Sequence, residues 1–191
     1  MSVTNSTSGT VEPVWVTEVL HFWFDELGED HWWAKSADID AQIRSRFLPL
    51  HEQIVANDGF GATTQRALLA AVIVLDQFSR NLFRGTSRAF AADSIARRLS
   101  RAAIKQGIDV AMKEEKRLFL YMPFEHSEDR DDQALSVKLI ASLGNPEWTQ
   151  AAMAHKVIID RFGRFPHRNA ILNRPSSKDE VALLHEPASW F

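Results

Sequence analysis

The chain has 191 residues, of which 45% are hydrophobic and 25% charged, which suits one domain with a sizeable core. Its formal net charge of -3 excludes a global positive field, so we expect neither nucleic acid nor anionic lipid as a partner. The absence of cysteine excludes disulfides, thiolate zinc sites and a cysteine nucleophile, and it fits a reducing compartment such as the cytoplasm.

The start of the chain carries neither a basic segment nor an apolar run. We therefore expect residues 1–13 to form a flexible tail rather than a secretory signal, followed by a single all-helical domain over residues 14–191. No stretch approaches the roughly 18 apolar residues that a membrane-spanning helix needs, so no membrane association is expected.

The first part of the domain spaces its apolar residues as a helix does. A first helix is predicted over residues 16–27, with Gly28 at its end. A second helix is predicted to start near Asp38. Because proline removes a backbone donor, Pro49 inside this helix predicts a kink or break near Leu48.

The middle of the chain contains the most apolar segment. Thr63 or Thr64 is expected to cap a third helix, and residues 67–75 within it are apolar on every side, which predicts a central, buried position. A strand is the competing prediction for so short a run. A fourth helix is predicted to start after Ser87 and to end at Gly107.

The second half of the chain supplies four further helices. A fifth is predicted over residues 113–122, ended by Pro123, and a sixth is predicted to begin with Ser127 as its N-cap. A seventh begins at residues 145–146, an Asn-Pro pair, and the last begins with a capping box at residues 177–180. Because no segment alternates as a strand, we predict an all-α fold of about eight helices stacked as antiparallel hairpins.

Three segments place polar side chains in unusual settings, and the first is residues 76–85. There the central apolar helix ends in Asp76 and Arg80, which are four residues apart, and Asn81 and Arg84 follow. The alternatives for Asp76 and Arg80 are an ion pair that only closes the helix and a pair that contributes to a binding site.

The second segment, residues 121–128, places His126 on an expected loop just before a helix N-terminus. Backbone N–H groups at such a terminus attract anions, and a histidine there can bind an anion or carry a proton. The alternative is an ordinary loop histidine beside a Ser127 cap and a Glu128 that complements the helix dipole.

The third segment combines His155 with the basic run of residues 161–174, which holds four arginines, one histidine and no acid. Clustered arginines bind carboxylate or phosphate groups bidentately. The interleaved phenylalanines also fit single-stranded nucleic acid, which the acidic remainder of the chain disfavours. His155 lies on an apolar stripe, so the alternative for it is a hydrogen-bonded core residue.

Motifs for cofactors and metals are missing from the sequence. It contains no P-loop, no G-x-G-x-x-G and no G-x-S-x-G. The pair Glu18 and His21 has the spacing of a di-iron ligand motif, but that site needs a second copy, which the sequence lacks. We therefore expect neither a cofactor nor a bound metal.

Three functional hypotheses follow from the polar segments. The first is a binding module with a pocket for an anionic small molecule or an acidic peptide. The residues assigned to that pocket are Arg80, Asn81, Arg84, His126, His155, Arg161, Arg164, His167, Arg168 and Asn169. The second is a hydrolase-like acid–base enzyme in which a histidine carries a proton and a carboxylate orients it. The candidates for these roles are His126, His155, His167, Asp76 and Glu128. The third is a buried polar network that only stabilises the fold.

Nearly the whole chain after residue 13 resembles the bacterial "domain of unknown function 924" family. The resemblance rests on residues 19–24 (VLHFWF), 32–35 (WWAK), 75–85 (LDQFSRNLFRG), 121–128 (YMPFEHSE) and 161–169 (RFGRFPHRN). It implies an all-helical, right-handed superhelix like that of the tetratricopeptide-repeat superfamily, and no established reaction. The family pattern has proline, methionine and glycine where this chain has Ser79, Glu125 and Asn173. Glu125 is expected to add a negative charge beside His126.

Overall fold

The computed structural model describes residues 12–59 and 61–186, and within them the chain is helical and contains no strand. The helices are α1 (Val14–His21), α2 (Glu29–Trp32), α3 (Ala37–Ala56), α4 (Gln65–Ile73), α5 (Ser79–Leu82), α6 (Asp93–Lys105), α7 (Glu114–Glu125), α8 (Arg130–Ala141), α9 (Pro146–Phe162) and α10 (Lys178–Leu184). The predicted all-α fold is therefore confirmed. Apart from Glu12 and Pro13, the predicted tail lies outside the described residues.

Two helices widen locally into π-helical turns. Residues Phe22–Leu27 continue α1 as a π-helix, and residues Val74–Phe78 form a second π-helix that joins α4 to α5 without a break in helical backbone. A π turn contains an extra residue, and such turns occur frequently at functional sites. The second π turn carries Asp76, the first polar residue of the central helix.

The central position of the third predicted helix is confirmed. Every residue from Ala67 to Leu75 is buried, and this segment packs against α1, α6 and α7. Thr64 caps it, because its hydroxyl accepts a hydrogen bond from the Ala67 N–H at 3.1 Å. Full burial of an aliphatic side chain contributes roughly 1.5–3 kcal/mol to the free energy of folding. Burial of this helix therefore holds the polar residues at its C-terminal end in place.

The break predicted as one alternative at Pro49 is absent, since α3 runs as one helix from Ala37 to Ala56. The missing N–H of Pro49 leaves the Ser45 carbonyl without its helical partner, but both residues are exposed and water can bind that carbonyl. On the opposite face, Phe47 and His51 are buried and hold the helix against the core.

The predicted boundaries between the fifth and sixth helices are wrong. α7 continues past Pro123 to Glu125, with His126 as its C-cap. The buried side chain of Gln133 stabilises this end, because its Nε2 donates to the carbonyls of residues 125 and 127 at 2.6 and 2.7 Å. Asp129, not Ser127, is the N-cap of α8. His126 therefore closes one helix instead of preceding another.

The other predicted caps fall into two groups. Asn145 caps α9 with Pro146 as its first residue, and Ser177 and Glu180 form the predicted capping box of α10. The fourth helix starts later than predicted, because Ser87–Phe90 is a short 3-10 turn that precedes α6.

None of the described helices combines the length and the apolar character needed to cross a membrane.

The last long helices bring the polar segments together. α8 and α9 are joined by four residues and pack along each other, and α7 packs against both. A connection this short makes the two helices antiparallel neighbours. As a result, the end of α7, the π turn of the central helix and the middle of α9 meet on one side of the core.

Candidate functional site

A histidine–carboxylate pair links the π turn to the end of α7. Both carboxylate oxygens of Asp76 lie 2.9 Å from Nδ1 of His126, and Asp76 is only 1% exposed. Gln77 Nε2 donates to Asp76 at 2.6 Å, and Arg80 Nη1 lies 3.3 Å from the same carboxylate. An ionised carboxylate accepts but does not donate, so the His126 proton lies on Nδ1 and Nε2 carries the lone pair.

The charge states of this pair follow from its surroundings. Burial opposes the ionisation of Asp76, but the charges of Arg80 and His126 outweigh burial and hold the pKa of the Asp76 carboxyl well below its ordinary value. Burial lowers the pKa of His126 below its ordinary value, although Asp76 acts in the opposite direction. At neutral pH the pair therefore consists of an ionised Asp76 and a neutral His126.

Two arginines share one further carboxylate beside this pair. Arg80 donates to both oxygens of Asp93 at 3.2 and 3.3 Å, and Nη1 of Arg168 lies 3.8 Å from the same carboxylate. Charge-assisted hydrogen bonds are typically about 2.7–2.9 Å long, so both contacts are loose. A single carboxylate thus faces two guanidinium groups without a close bond to either.

Arg168 is the least neutralised of these cations. It is 7% exposed, its buried Nε has no hydrogen-bond partner among the described residues, and its Nη2 donates to the His126 carbonyl at 3.0 Å. The rings of Phe90 and Phe165 each lie 4.5 Å from its guanidinium carbon. Burial, together with the charge of Arg80, lowers the pKa of Arg168 to about 10.

A second histidine–carboxylate pair lies next to the first. Nδ1 of His155 is 3.0 Å from Oε1 of Glu125 and 2.9 Å from the Ala151 carbonyl. Burial, with a smaller contribution from Asp76, raises the pKa of Glu125 to about 8, so this side chain is protonated at neutral pH. The expectation of a negative charge beside His126 is therefore wrong. Burial also lowers the pKa of His155 to about 4.

One edge of the assembly reaches solvent. The side chains of His126, His155 and Arg80 are 13, 17 and 21% exposed, and the rings of His126 and His155 are 6.2 Å apart. His167 adds a third imidazole, 5.6 Å from the Phe165 ring, and its pKa is lowered to about 3 by burial and then by Arg168. We call the following residues the histidine cluster: Asp76, Arg80, Asp93, Glu125, His126, His155, His167 and Arg168.

Two of the sequence-predicted residues in the first segment contact another carboxylate. Arg84 binds Asp40 with two hydrogen bonds of 2.7 and 2.8 Å, and Asn81 donates to the same carboxylate at 2.8 Å. Asp40 lies in the first turn of α3. These contacts join α5 and its C-terminal turn to α3 and leave Arg84 with a close anionic partner.

The remaining predicted residues of the third segment are also paired or exposed. Arg164 binds Glu180 at 2.6 and 2.8 Å, and Asn169 donates to that carboxylate at 3.3 Å. Glu128, the other candidate for an orienting acid, accepts two hydrogen bonds from Arg174 at 2.8 and 2.9 Å. Arg161 is exposed on α9, above the ring of Phe162.

The histidine cluster also contains Asp93, which the sequence did not single out, and Glu125, which it singled out only as a negative charge beside His126. Asp93 reads as an ordinary acid in the first turn of α6, and Glu125 reads as the end of a helix already thought to be closed by Pro123. A helix extended by one turn would have placed Glu125 on the buried face of α7, because residues 118–125 are all buried. Nothing in the sequence points to Asp93.

The cluster does not have the makeup of a metal site. Over the described ranges, no group of three or more histidine, cysteine, aspartate or glutamate side chains is placed to hold a metal ion. The chemistry it offers is instead an ionised carboxylate on a neutral imidazole, beside two arginines whose contacts with the Asp93 carboxylate are loose.

Comparison with known proteins gives the affiliation of the chain. A protein of unknown function from Agrobacterium tumefaciens, ATU0120, has a similar solved structure, with a TM-score of 0.85 and 37% sequence identity over 89% of this chain and 96% of that chain. A search among curated proteins gives no match. The family described as "Bacterial protein of unknown function (DUF924)" matches residues 19–188. Since this match covers most of the sequence, the chain belongs to the DUF924 family.

Proposed function

We propose that the histidine cluster binds a small molecule that carries a carboxylate or phosphate group, and that this binding is the function of the protein. The observation that carries the proposal is the state of Arg168. A buried charge requires a compensating partner, yet the nearest carboxylate oxygen is 3.8 Å away and the Nε donor is unused. The carboxylates of Asp76 and Asp93 match Arg80 and Arg168 in number, so what an anion supplies at this position is a close acceptor for Arg168.

The surroundings of Arg168 support an anion rather than a neutral ligand. Arg80 adds a second guanidinium group on the same carboxylate, and two arginines can hold carboxylate or phosphate oxygens in a bidentate manner. The neighbouring Glu125 is protonated at neutral pH, so it does not repel an anion. The side chains of His126 and His155 are partly exposed, so a ligand can reach this part of the cluster from solvent.

The other predicted arginines are left out of this proposal. Arg84 and Arg164 each have a close bidentate carboxylate partner, so binding an external anion would require breaking that pair. For these two residues we propose the structural role that was the third hypothesis of the sequence analysis. The anion-binding set is thereby reduced to Arg80, Arg168 and the histidines around them.

A thermal-shift titration tests the binding proposal with three probes: inorganic phosphate, citrate and a penta-glutamate peptide. At neutral pH, phosphate or citrate is expected to give a saturable rise in melting temperature, because a ligand that binds only the folded state stabilises it. The rise is expected to disappear in Arg168→Met. It is expected to persist in Arg161→Met, which removes an exposed arginine from α9.

The outcomes separate the possible ligands. A response to the peptide alone identifies an acidic segment of a protein as the partner and contradicts a small-molecule site. No saturable response to any probe, or an unchanged response in Arg168→Met, overturns the proposal. If Arg168→Met does not fold, Arg168→Lys takes its place, since it keeps the charge but loses the fork of donors and is expected to weaken binding at least about tenfold.

Two finer expectations are also proposals. We propose that the helices stack as a right-handed superhelix of the tetratricopeptide-repeat type, supported by the short α8–α9 connection. We also propose a cytoplasmic location, supported by the absence of cysteine from the sequence.

A further inference from the structure

We propose that His126 is a general base that acts on the anion held at Arg168, so that the histidine cluster hydrolyses an ester of a carboxylate- or phosphate-bearing molecule. This inference rests on the binding function proposed above and adds a reaction to it. Its basis is the contact between the Asp76 carboxylate and His126 Nδ1, together with the partial exposure of the His126 side chain, which is 13%.

The tautomer of His126 suits a general base. The buried Asp76 carboxylate accepts the Nδ1 proton of His126, which leaves Nε2 with the lone pair that a base needs. Asp76 also stabilises the imidazolium that forms when Nε2 takes up a proton, as the carboxylate does in histidine–carboxylate catalytic sites generally. In this arrangement His126 is the catalytic residue and Asp76 is a positioning residue.

The arginines that would hold the anion lie beside His126. Arg168 donates to the backbone carbonyl of His126, so the guanidinium group and the imidazole belong to the same corner of the fold. Arg80 contacts Asp76 as well as Asp93. Guanidinium groups in this position stabilise the negative charge that develops on the substrate as water attacks it.

The reaction balances with water as the only co-reactant. His126 Nε2 takes a proton from water while the water oxygen forms a bond to the ester carbon or phosphorus. The bond between that atom and the leaving oxygen then breaks, and the leaving oxygen receives the proton from the His126 imidazolium. The products are an acid and an alcohol, and His126 returns to its neutral form.

The other buried histidines do not have this arrangement. His155 faces Glu125, which is protonated at neutral pH and so provides no negative charge to stabilise an imidazolium. His51 lies 2.8 Å from the hydroxyl of Ser79, and both residues are at least 95% buried, out of reach of a substrate. Of these three histidines, His126 is the one that has both an ionised carboxylate partner and a side chain partly exposed to solvent.

Chromogenic esters test the reaction. The probes are 4-nitrophenyl phosphate, mono-(4-nitrophenyl) succinate and the neutral 4-nitrophenyl acetate. Wild-type protein is expected to accelerate hydrolysis of one of the two anionic esters over its spontaneous rate more than it accelerates that of the acetate, and His126→Gln is expected to lower the protein-dependent rate at least about 100-fold, the usual contribution of a general base. His185→Gln, which removes the exposed histidine that directly follows α10, is expected to keep the wild-type rate.

The pH dependence of the hydrolysis rate distinguishes a positioning role of Asp76 from a role in protein stability alone. The rate is expected to rise with pH as His126 loses its proton, and Asp76→Asn is expected to lower kcat with little change in phosphate binding, because an amide no longer fixes the tautomer. The titratable and charged groups that face His126 are Asp76, Arg80, Asp93, Glu125, His155, His167 and Arg168.

Two results decide the matter. Equal ester hydrolysis by the wild-type and His126→Gln proteins, with the phosphate-induced rise in melting temperature intact, overturns the acid–base role and leaves the binding function standing. The absence of a saturable rise in wild-type protein with both phosphate and citrate overturns the binding function itself, and the acid–base role with it.

Discussion

Replacing Asp76 by alanine is expected to lower the free energy of unfolding by about 3–5 kcal/mol, the usual cost of removing one partner of a buried ion pair. Asp76 accepts hydrogen bonds from His126 and Gln77 and contacts Arg80, and it is almost completely buried. Without it, Arg80 keeps only its loose contacts with Asp93 as a carboxylate partner. Urea denaturation at pH 7 measures the change.

Asp160→Ala is the matched control for this experiment. Asp160 also pairs with a residue four positions away, Lys156, but that pair lies on the surface, where an ion pair contributes only about 0–1 kcal/mol. The two substitutions therefore differ mainly in burial. An unfolding free energy that is equally insensitive to both would contradict the account of Asp76 as a buried, charged anchor of the cluster.

Replacing Glu125 by glutamine is expected to remove a large pH dependence of stability. The folded state raises the pKa of Glu125 from 4.5 to about 8, so between these values the folded chain binds a proton that the unfolded chain does not. The stabilisation is thus fully present below pH 4.5 and is lost as the pH rises through about 8. A shift of this size corresponds to a loss on the order of 5 kcal/mol by pH 9.

Glutamine keeps the shape of a protonated glutamate but does not ionise. We therefore expect Glu125→Gln to match the wild-type protein at pH 5 and to unfold at a higher urea concentration than the wild type at pH 9. Glu114→Gln, an exposed substitution at the start of the same helix, is expected to keep the wild-type pH dependence. A Glu125→Gln protein that loses stability between pH 5 and pH 9 as the wild type does would contradict the assignment.

The helices were predictable because local rules and burial agree along most of the chain. The apolar run of residues 67–75 indicates a central helix, and the caps Thr64, Asn145 and Ser177 are where side-chain oxygens can accept the first free N–H groups. Proline was the exception. Pro49 and Pro123 each remove one hydrogen bond, and the buried faces of α3 and α7 outweigh that loss.

The sequence predicts which residues belong to the site better than it predicts which residues contact each other there. The sequence identifies the histidines and arginines as unusual, but which carboxylate each one contacts depends on how distant helices pack. Asp93 and Glu125 are single acids whose role comes only from the approach of α5, α9 and the turn after α9. The π turn that carries Asp76 likewise follows an apolar run that continues as an ordinary helix pattern in the sequence.

A crystal structure of the protein soaked in phosphate tests the central claim most directly. The account predicts a phosphate ion within hydrogen-bond distance of the Arg168 guanidinium group, on the side of the ring edge of His126. A phosphate bound elsewhere, for instance at Arg84 or Arg164 after loss of their carboxylate pairs, would contradict the claim, as would a cluster that stays without an anion in crystals soaked in phosphate and in citrate at saturating concentration.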